Sequence, residues 1–110
     1  MTDIRGTKPL TSSAFYILLA LVDEPRHGLG IATEVESRTD GDVRMGPGTL
    51  YNSIKKLLER KLIVDVSSDP DDDPRRRYYR ITRSGRSALG VEARKLDRVL
   101  KSAREKEVLS

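Results

Sequence analysis

Residues 45–63 read MGPGTLYNSIKKLLERKLI. Pro47 suits the first position of a helix, where its missing N–H has no partner to lose and its ring presets the helical φ. Gly46 is then the N-cap, a weaker cap than Ser or Asp. Leu50, Ile54, Leu57, Leu58 and the stem of Lys61 recur on one face at 3.6 spacing. Thr49, Asn52, Lys55, Lys56 and Glu59 fall on the other. The pattern predicts a helix over 47–60 with one stripe to bury and a polar, largely basic face left over.

Downstream, Leu62-Ile-Val64 leads into a strand in which Ile63, Asp65 and Ser67 alternate with Val64 and Val66. The stretch from Ser67 to Pro74 cannot extend it, because two prolines and a cluster of turn formers interrupt the pattern. It is read as a hairpin loop, with residues 75–81 (RRRYYRI) as the return strand. Tyr78 and Tyr79 alternate there, so one faces inward and one outward. Thr82 caps a last helix to about Lys106. Within it Leu89, Ala93, Leu96, Leu100 and Ala103 form a narrow a/d seam about two heptads long. Such a seam on so charged a helix suits helix–helix pairing better than burial in a globule. Gly90 weakens this helix by up to ~1 kcal/mol relative to Ala and is read as a bend.

Upstream, residues 1–10 lack periodicity and read as an arm carrying Arg5 and Lys8. Ser12 or Ser13 caps a first helix through about Asp23, closed by Pro25. Ala14, Phe15, Ile17, Leu18, Leu19, Ala20, Leu21 and Val22 make it apolar nearly all round, so it must be covered on more than one side. In so short a chain the second cover is another subunit. A second helix runs over about 28–38 with Leu29, Ile31, Ala32 and Val35 inward, and Thr39 to Asp42 is a turn cluster. Val43-Arg-Met45 is a short strand candidate beside the hairpin. His27 has no acid or nucleophile patterned around it and reads as a structural or capping residue.

The chain has 110 residues, one domain's worth, with 35% charged and 36% hydrophobic residues, so its own core is modest. Cysteine is absent, which excludes disulfides and thiolate metal sites. No apolar run approaches the roughly 20 residues that span a bilayer. The longest, Ala14 to Val22, lacks the flanks of a signal peptide, so a cytoplasmic location is expected. No catalytic triad, phosphate-cradling loop or metal triad is visible, so no enzyme, cofactor or metal is expected. Charge is unevenly placed: residues 1–54 carry five Lys/Arg and seven Asp/Glu, residues 55–110 sixteen and ten. From Pro74 to Arg86 there are six arginines and no acid.

Two helices, a polar-faced third and a basic hairpin make a mainly α (α+β) fold: a winged helix-turn-helix. It would occupy 11–82, after a flexible arm at 1–10 and before a dimerisation helix at 83–110. The local basic block is the footprint of a nucleic-acid contact, and double-stranded DNA is the expected partner. Early on the third helix's outer face, Thr49 and Asn52, then Lys56 a turn later, reach base edges. Asn pairs with adenine, Lys with guanine, and Thr bonds or touches a thymine methyl. Lys55 is placed for phosphate, and Gly46 and Gly48 let the first N–H groups approach one closely. Tyr51 either meets phosphate or packs between helices. Two of Arg75, Arg76 and Arg77 are expected on the DNA backbone or in the minor groove. The acidic loop tip, Asp69 and Asp71 to Asp73, stays clear or folds back onto them. A homodimer would form through Phe15, Leu18 and Leu19 with Leu89, Ala93, Leu96, Leu100 and Ala103. The alternative is a winged-helix module that engages acidic proteins without specific DNA binding.

Gly46-Pro-Gly-Thr-Leu-Tyr51, the continuation Lys56-Leu-Leu-Glu-Arg-Lys-Leu-Ile63, the run from Arg75 to Thr82 and the upstream Pro25-Arg-His-Gly28 together resemble the PadR family of transcriptional regulators. The resemblance covers about residues 10–106. It implies a winged helix with a single C-terminal dimerisation helix that packs on the partner's first helix, and action usually as a repressor. The family's DNA contacts carry over to Thr49, Tyr51, Asn52, Lys55, Lys56 and Arg75 to Arg77. Many members have Pro-Ala where this chain has Asn52-Ser53, which implies a different base preference. Gly46 replaces a frequent Ser, removing a cap hydroxyl. Some members respond to phenolic acids or hold flat drugs between subunits with tryptophan, so the resemblance implies a small aromatic effector. With no Trp and one Phe, the stacking version of that site lacks its residue.

Overall fold

The computed structural model describes residues 9–66 and 76–109. Among them the order is α1 (Ser12–Ala20), β1 (Arg26–His27), α2 (Gly28–Arg38), α3 (Pro47–Glu59), β2 (Ile63–Val66), β3 (Tyr78–Ile81) and α4 (Arg83–Glu105). The strands form one antiparallel sheet in the order β1-β3-β2. This is the expected mainly α winged helix-turn-helix.

The cap of α1 is Thr11, whose hydroxyl accepts the Ala14 N–H at 3.1 Å, rather than Ser12 or Ser13. The helix also stops at Ala20, three residues short of Asp23. Its last carbonyls go elsewhere: Arg26 Nε donates to the Ala20 carbonyl at 2.8 Å and Arg86 to that of Val22 at 2.7 Å. Two guanidiniums thus satisfy backbone oxygens that further helix would have used.

The third strand is Arg26–His27, paired with Tyr79 and Tyr78, and not Val43-Arg-Met45. The Val43 N–H is taken by the Thr39 hydroxyl at 3.0 Å, and Val43 and Met45 turn their side chains onto the core instead. In α2 the inward line is Gly28, Ile31 and Val35. Leu29 lies on the far side of the helix and is 66% exposed, against expectation. The return strand is shorter than predicted, starting at Tyr78; Arg76 and Arg77 precede it, and Arg75 with the hairpin loop lies outside the described residues.

Three helices end the same way. After α3, the Leu62 N–H bonds the Leu57 carbonyl and the Lys61 N–H that of Leu58. After α2, Gly41 and Asp40 do so to Glu36 and Ser37; after α4, Val108 and Glu107 to Ala103 and Arg104. This is the Schellman closure, which places the residue after the C-cap in the left-handed region, usually as Gly. Here it is Asp40 (φ 52°), Lys61 (φ 59°) and Glu107 (φ 60°). Lys61 therefore lies beyond the helix and exposed, and its stem does not extend the apolar stripe.

Ile17, Leu18, Leu21, Ile31, Leu57 and Ile63 are the largest wholly buried side chains. They join α1, α2, α3 and the sheet into one core, on which α3 rests by Leu50, Ile54 and Leu57. Only the first part of α4 reaches it, through Gly85 and Leu89. The helix runs unbroken through Gly90, and from Ala93 to Leu100 every residue is exposed.

Candidate nucleic-acid interface

Burying Leu50, Ile54 and Leu57 turns the rest of α3 outward, and Thr49, Tyr51, Asn52, Lys55 and Lys56 are all exposed. Thr49, Asn52 and Lys56 stand at i, i+3 and i+7, one line along the helix. The first turn of α3 carries no acid and its N-cap makes no side-chain hydrogen bond. Nothing lies within 4 Å of where a Cβ on Gly46 or Gly48 would sit, so the approach to this end is open. Asn52, Ser53, Lys56, Arg60 and one acid, Glu59, also line a groove of about 560 Å³ against Pro9, Thr11 and Ser13 at the start of α1.

Tyr51 points to the opposite flank. A Cβ on Gly28 would fall 2.6 Å from its phenol oxygen, so the missing side chain is what lets the ring lie across the start of α2. Tyr51 thus packs between helices while staying 52% exposed. It shares a cleft with His27, Leu29, Arg76, Arg77 and Tyr79. His27 holds this region in two ways: its Nδ1 accepts the Gly30 N–H at 3.1 Å, and its ring meets Tyr78 edge-on at 5.2 Å. The capping role expected of it is met.

The wing side is more constrained than the sequence implied. Arg77 donates to Asp65 of β2 at 3.0 Å. Asp65 had no role in the sequence reading, because it faces Tyr79 across the ladder rather than neighbouring the arginines along the chain. Tyr79 is buried, and burial, then the Asp65 charge, pushes its phenol above the ordinary value. The six-arginine block divides. Arg76 and Arg77 stand beside Tyr51, whereas Arg80, Arg83 and Arg86 line a separate groove with the turn from Leu21 to Pro25.

The expected dimer set divides too. Leu18 and Leu89 are buried in the chain's own core and are unavailable to a partner. Phe15 and Ala103 are partly exposed; Leu19, Ala93, Leu96 and Leu100 are exposed. Val99 adds to that surface, at 64% exposure the barest large hydrophobic side chain within α4. Leu19 opens onto a groove of about 320 Å³ with Tyr16, Val22 and Val35.

Among the described residues no group of His, Cys, Asp and Glu could hold a metal ion, and no helix is long and apolar enough to cross a membrane.

A family model described as the transcriptional regulator PadR-like family matches residues 17–91. A Lysinibacillus sphaericus protein named only uncharacterized protein X is 32% identical over 73 residues, 66% of this chain and 67% of that one. Among solved structures, a PadR family transcription regulator of hypervirulent Clostridium difficile superposes with a TM-score of 0.73 at 22% identity, covering 86% of this chain and 97% of that one. A variant of Lactococcus lactis ZitR in complex with DNA gives 0.63 at 22% identity, covering 94% and 62%.

Proposed function

The chain belongs to the PadR-like family of transcriptional regulators, and on that premise we propose a sequence-specific, homodimeric repressor of double-stranded DNA. The observation that carries the proposal is the line of Thr49, Asn52 and Lys56, exposed along α3 from a first turn that carries no acid. A recognition helix enters the major groove by its N-terminal part, and these three are the side chains that would meet base edges there. Lys55, Tyr51, Arg75, Arg76 and Arg77 would hold the phosphate backbone, giving affinity without sequence preference.

Residues 83–110 would supply the dimer. The exposed apolar side chains Leu96, Val99 and Leu100 of α4, with Leu19 and Phe15 of α1, are the surface a second copy would cover. A two-fold pair would then offer two α3 helices to an inverted repeat whose half-sites lie about one helical turn, 34–36 Å, apart. A small aromatic effector at that interface would relieve repression; the groove of Tyr16, Leu19, Val22 and Val35 has the apolar lining it needs. A module that binds an acidic protein is the second reading, favoured by Arg80, Arg83 and Arg86, which outnumber Asp23 and Glu24 in the groove they share.

The test is a fluorescence-anisotropy titration against the gene's own upstream DNA and a scrambled duplex at several salt concentrations. The proposal expects tighter binding to the upstream DNA at every salt, with a steep salt slope for both. No binding to either duplex at low salt would contradict it and favour the protein-binding module.

A further inference from the structure

The exit of α3 and the entry of α4 touch backbone to backbone. The Thr82 N–H bonds the Leu62 carbonyl at 3.0 Å, and the Thr82 hydroxyl donates to the Lys61 carbonyl at 2.9 Å while accepting the Gly85 N–H at 3.0 Å. Gly85 is buried against the same turn. A Cβ on it would fall 2.1 Å from the Leu62 carbonyl oxygen and 2.8 Å from a side-chain carbon of Ile81. The backbone of α4 thus rests directly on the backbone of this turn, which fixes its direction relative to the helix that would read DNA.

We infer that Gly85 is a positioning residue for half-site spacing. The inference rests on the dimeric reading above, in which α4 carries the partner. Gly85 touches no DNA; it sets the angle between α3 and the dimerisation helix. The lever is long. Ordinary contact begins near 3.4 Å, so a methyl group at position 85 must push α4 off Leu62 by about 1 Å. The next anchor, Leu89, lies about 6 Å along the helix, so the push becomes a tilt of about 10°. From Leu89 the helix runs on for about 24 Å to Glu105, where that tilt displaces it by about 4 Å. Duplex DNA rises about 3.4 Å per base pair. In a two-fold pair both protomers carry the methyl group, so the two recognition helices are expected to move relative to each other by about one to two base pairs.

The experiment titrates wild type and Gly85→Ala against duplexes carrying two half-sites at successive separations, and against a single half-site. The expected result is a preferred separation displaced by about one to two base pairs in Gly85→Ala, with affinity for the single half-site within about threefold of wild type. An unchanged optimum overturns the inference. A wild type with no preferred separation overturns the dimeric reading itself, a different failure with a different signature. Thr82→Val adds no bulk at position 85 but removes both hydroxyl bonds, and serves if Gly85→Ala does not fold. It should blunt the preference for one separation while leaving single half-site binding within the same limit. A preference as sharp as wild type's overturns the inference equally.

Discussion

Arg77 and Asp65 meet at 3.0 Å across the β2–β3 ladder, so a wing cation assigned to DNA is held by an acid on its own sheet. Both side chains are well exposed, 74% and 42%, and such a pair contributes little to stability in water. Its consequence is for binding. Asp65 lowers the charge the wing offers to phosphate and orients the guanidinium that carries it.

Asp65→Asn should therefore tighten binding several-fold, for operator and scrambled duplex alike, and steepen the salt dependence by about one phosphate's worth. Its unfolding free energy from urea titration should stay within about 1 kcal/mol of wild type. Anisotropy across a salt series reads the first effect. Tightening confined to one sequence would instead place Asp65 near the bases.

Gly28 and Tyr51 form one unit in the cleft they share with Arg77. Gly28→Ala should expel the phenol from its place over α2 and weaken DNA binding about as much as Tyr51→Ala does. Because both act through the same ring, the double variant should be no worse than the weaker single one. Additive losses in that double-mutant cycle would separate the two residues.

Lys61 sits in the left-handed region at φ 59°, a conformation that costs a residue with a Cβ roughly 1–2 kcal/mol. Glycine returns part of that gain through its freer unfolded chain. Lys61→Gly is thus expected to stabilise the fold by about 0.5–1 kcal/mol, seen as a higher urea midpoint at unchanged slope. Its effect on DNA affinity should be small, since Lys61 stands past the end of α3.

Tyr79 should resist ionisation as the pH is raised. Burial and Asp65 raise its folded value above the ordinary 10.0. For a raised value, the associated stability is fully present below the unfolded pKa and is lost as pH climbs from there through the folded one. Alkaline unfolding should therefore set in above about pH 10 and be milder in Tyr79→Phe. The ultraviolet phenolate titration of the same variant should lose a step that lies above the ordinary 10.0.

Much of this was legible in the residues. Pro47, the stripe of Leu50, Ile54 and Leu57, and Thr82 marked α3 and α4 nearly to the residue, because caps and periodicity are local chemistry. What was hidden depends on partners distant in sequence. Arg26 and His27 form a strand only because Tyr78 and Tyr79 lie alongside, and two residues carry no alternation to read. Val43 looked like a strand because nothing local shows that the Thr39 hydroxyl takes its N–H. The ends at Asp40, Lys61 and Glu107 lacked the glycine that usually signals them. Leu18 sat in a helix apolar nearly all round and Leu89 had the right period for a seam, but neither pattern can say whether the chain's own core or a second copy covers them. Asp65 was passed over because charge was weighed along the chain, while Arg77 finds it across a sheet.

The most direct test of the whole account is selection of bound duplexes from a random pool by the purified protein, followed by sequencing. The account predicts enrichment of an inverted repeat with half-site centres about 10 base pairs apart, with Asn52→Ala losing preference at one position per half-site while Lys55→Ala keeps the motif at lower affinity. Recovery of unenriched DNA, or of a motif indifferent to both Asn52 and Lys56, would contradict α3 as the reader.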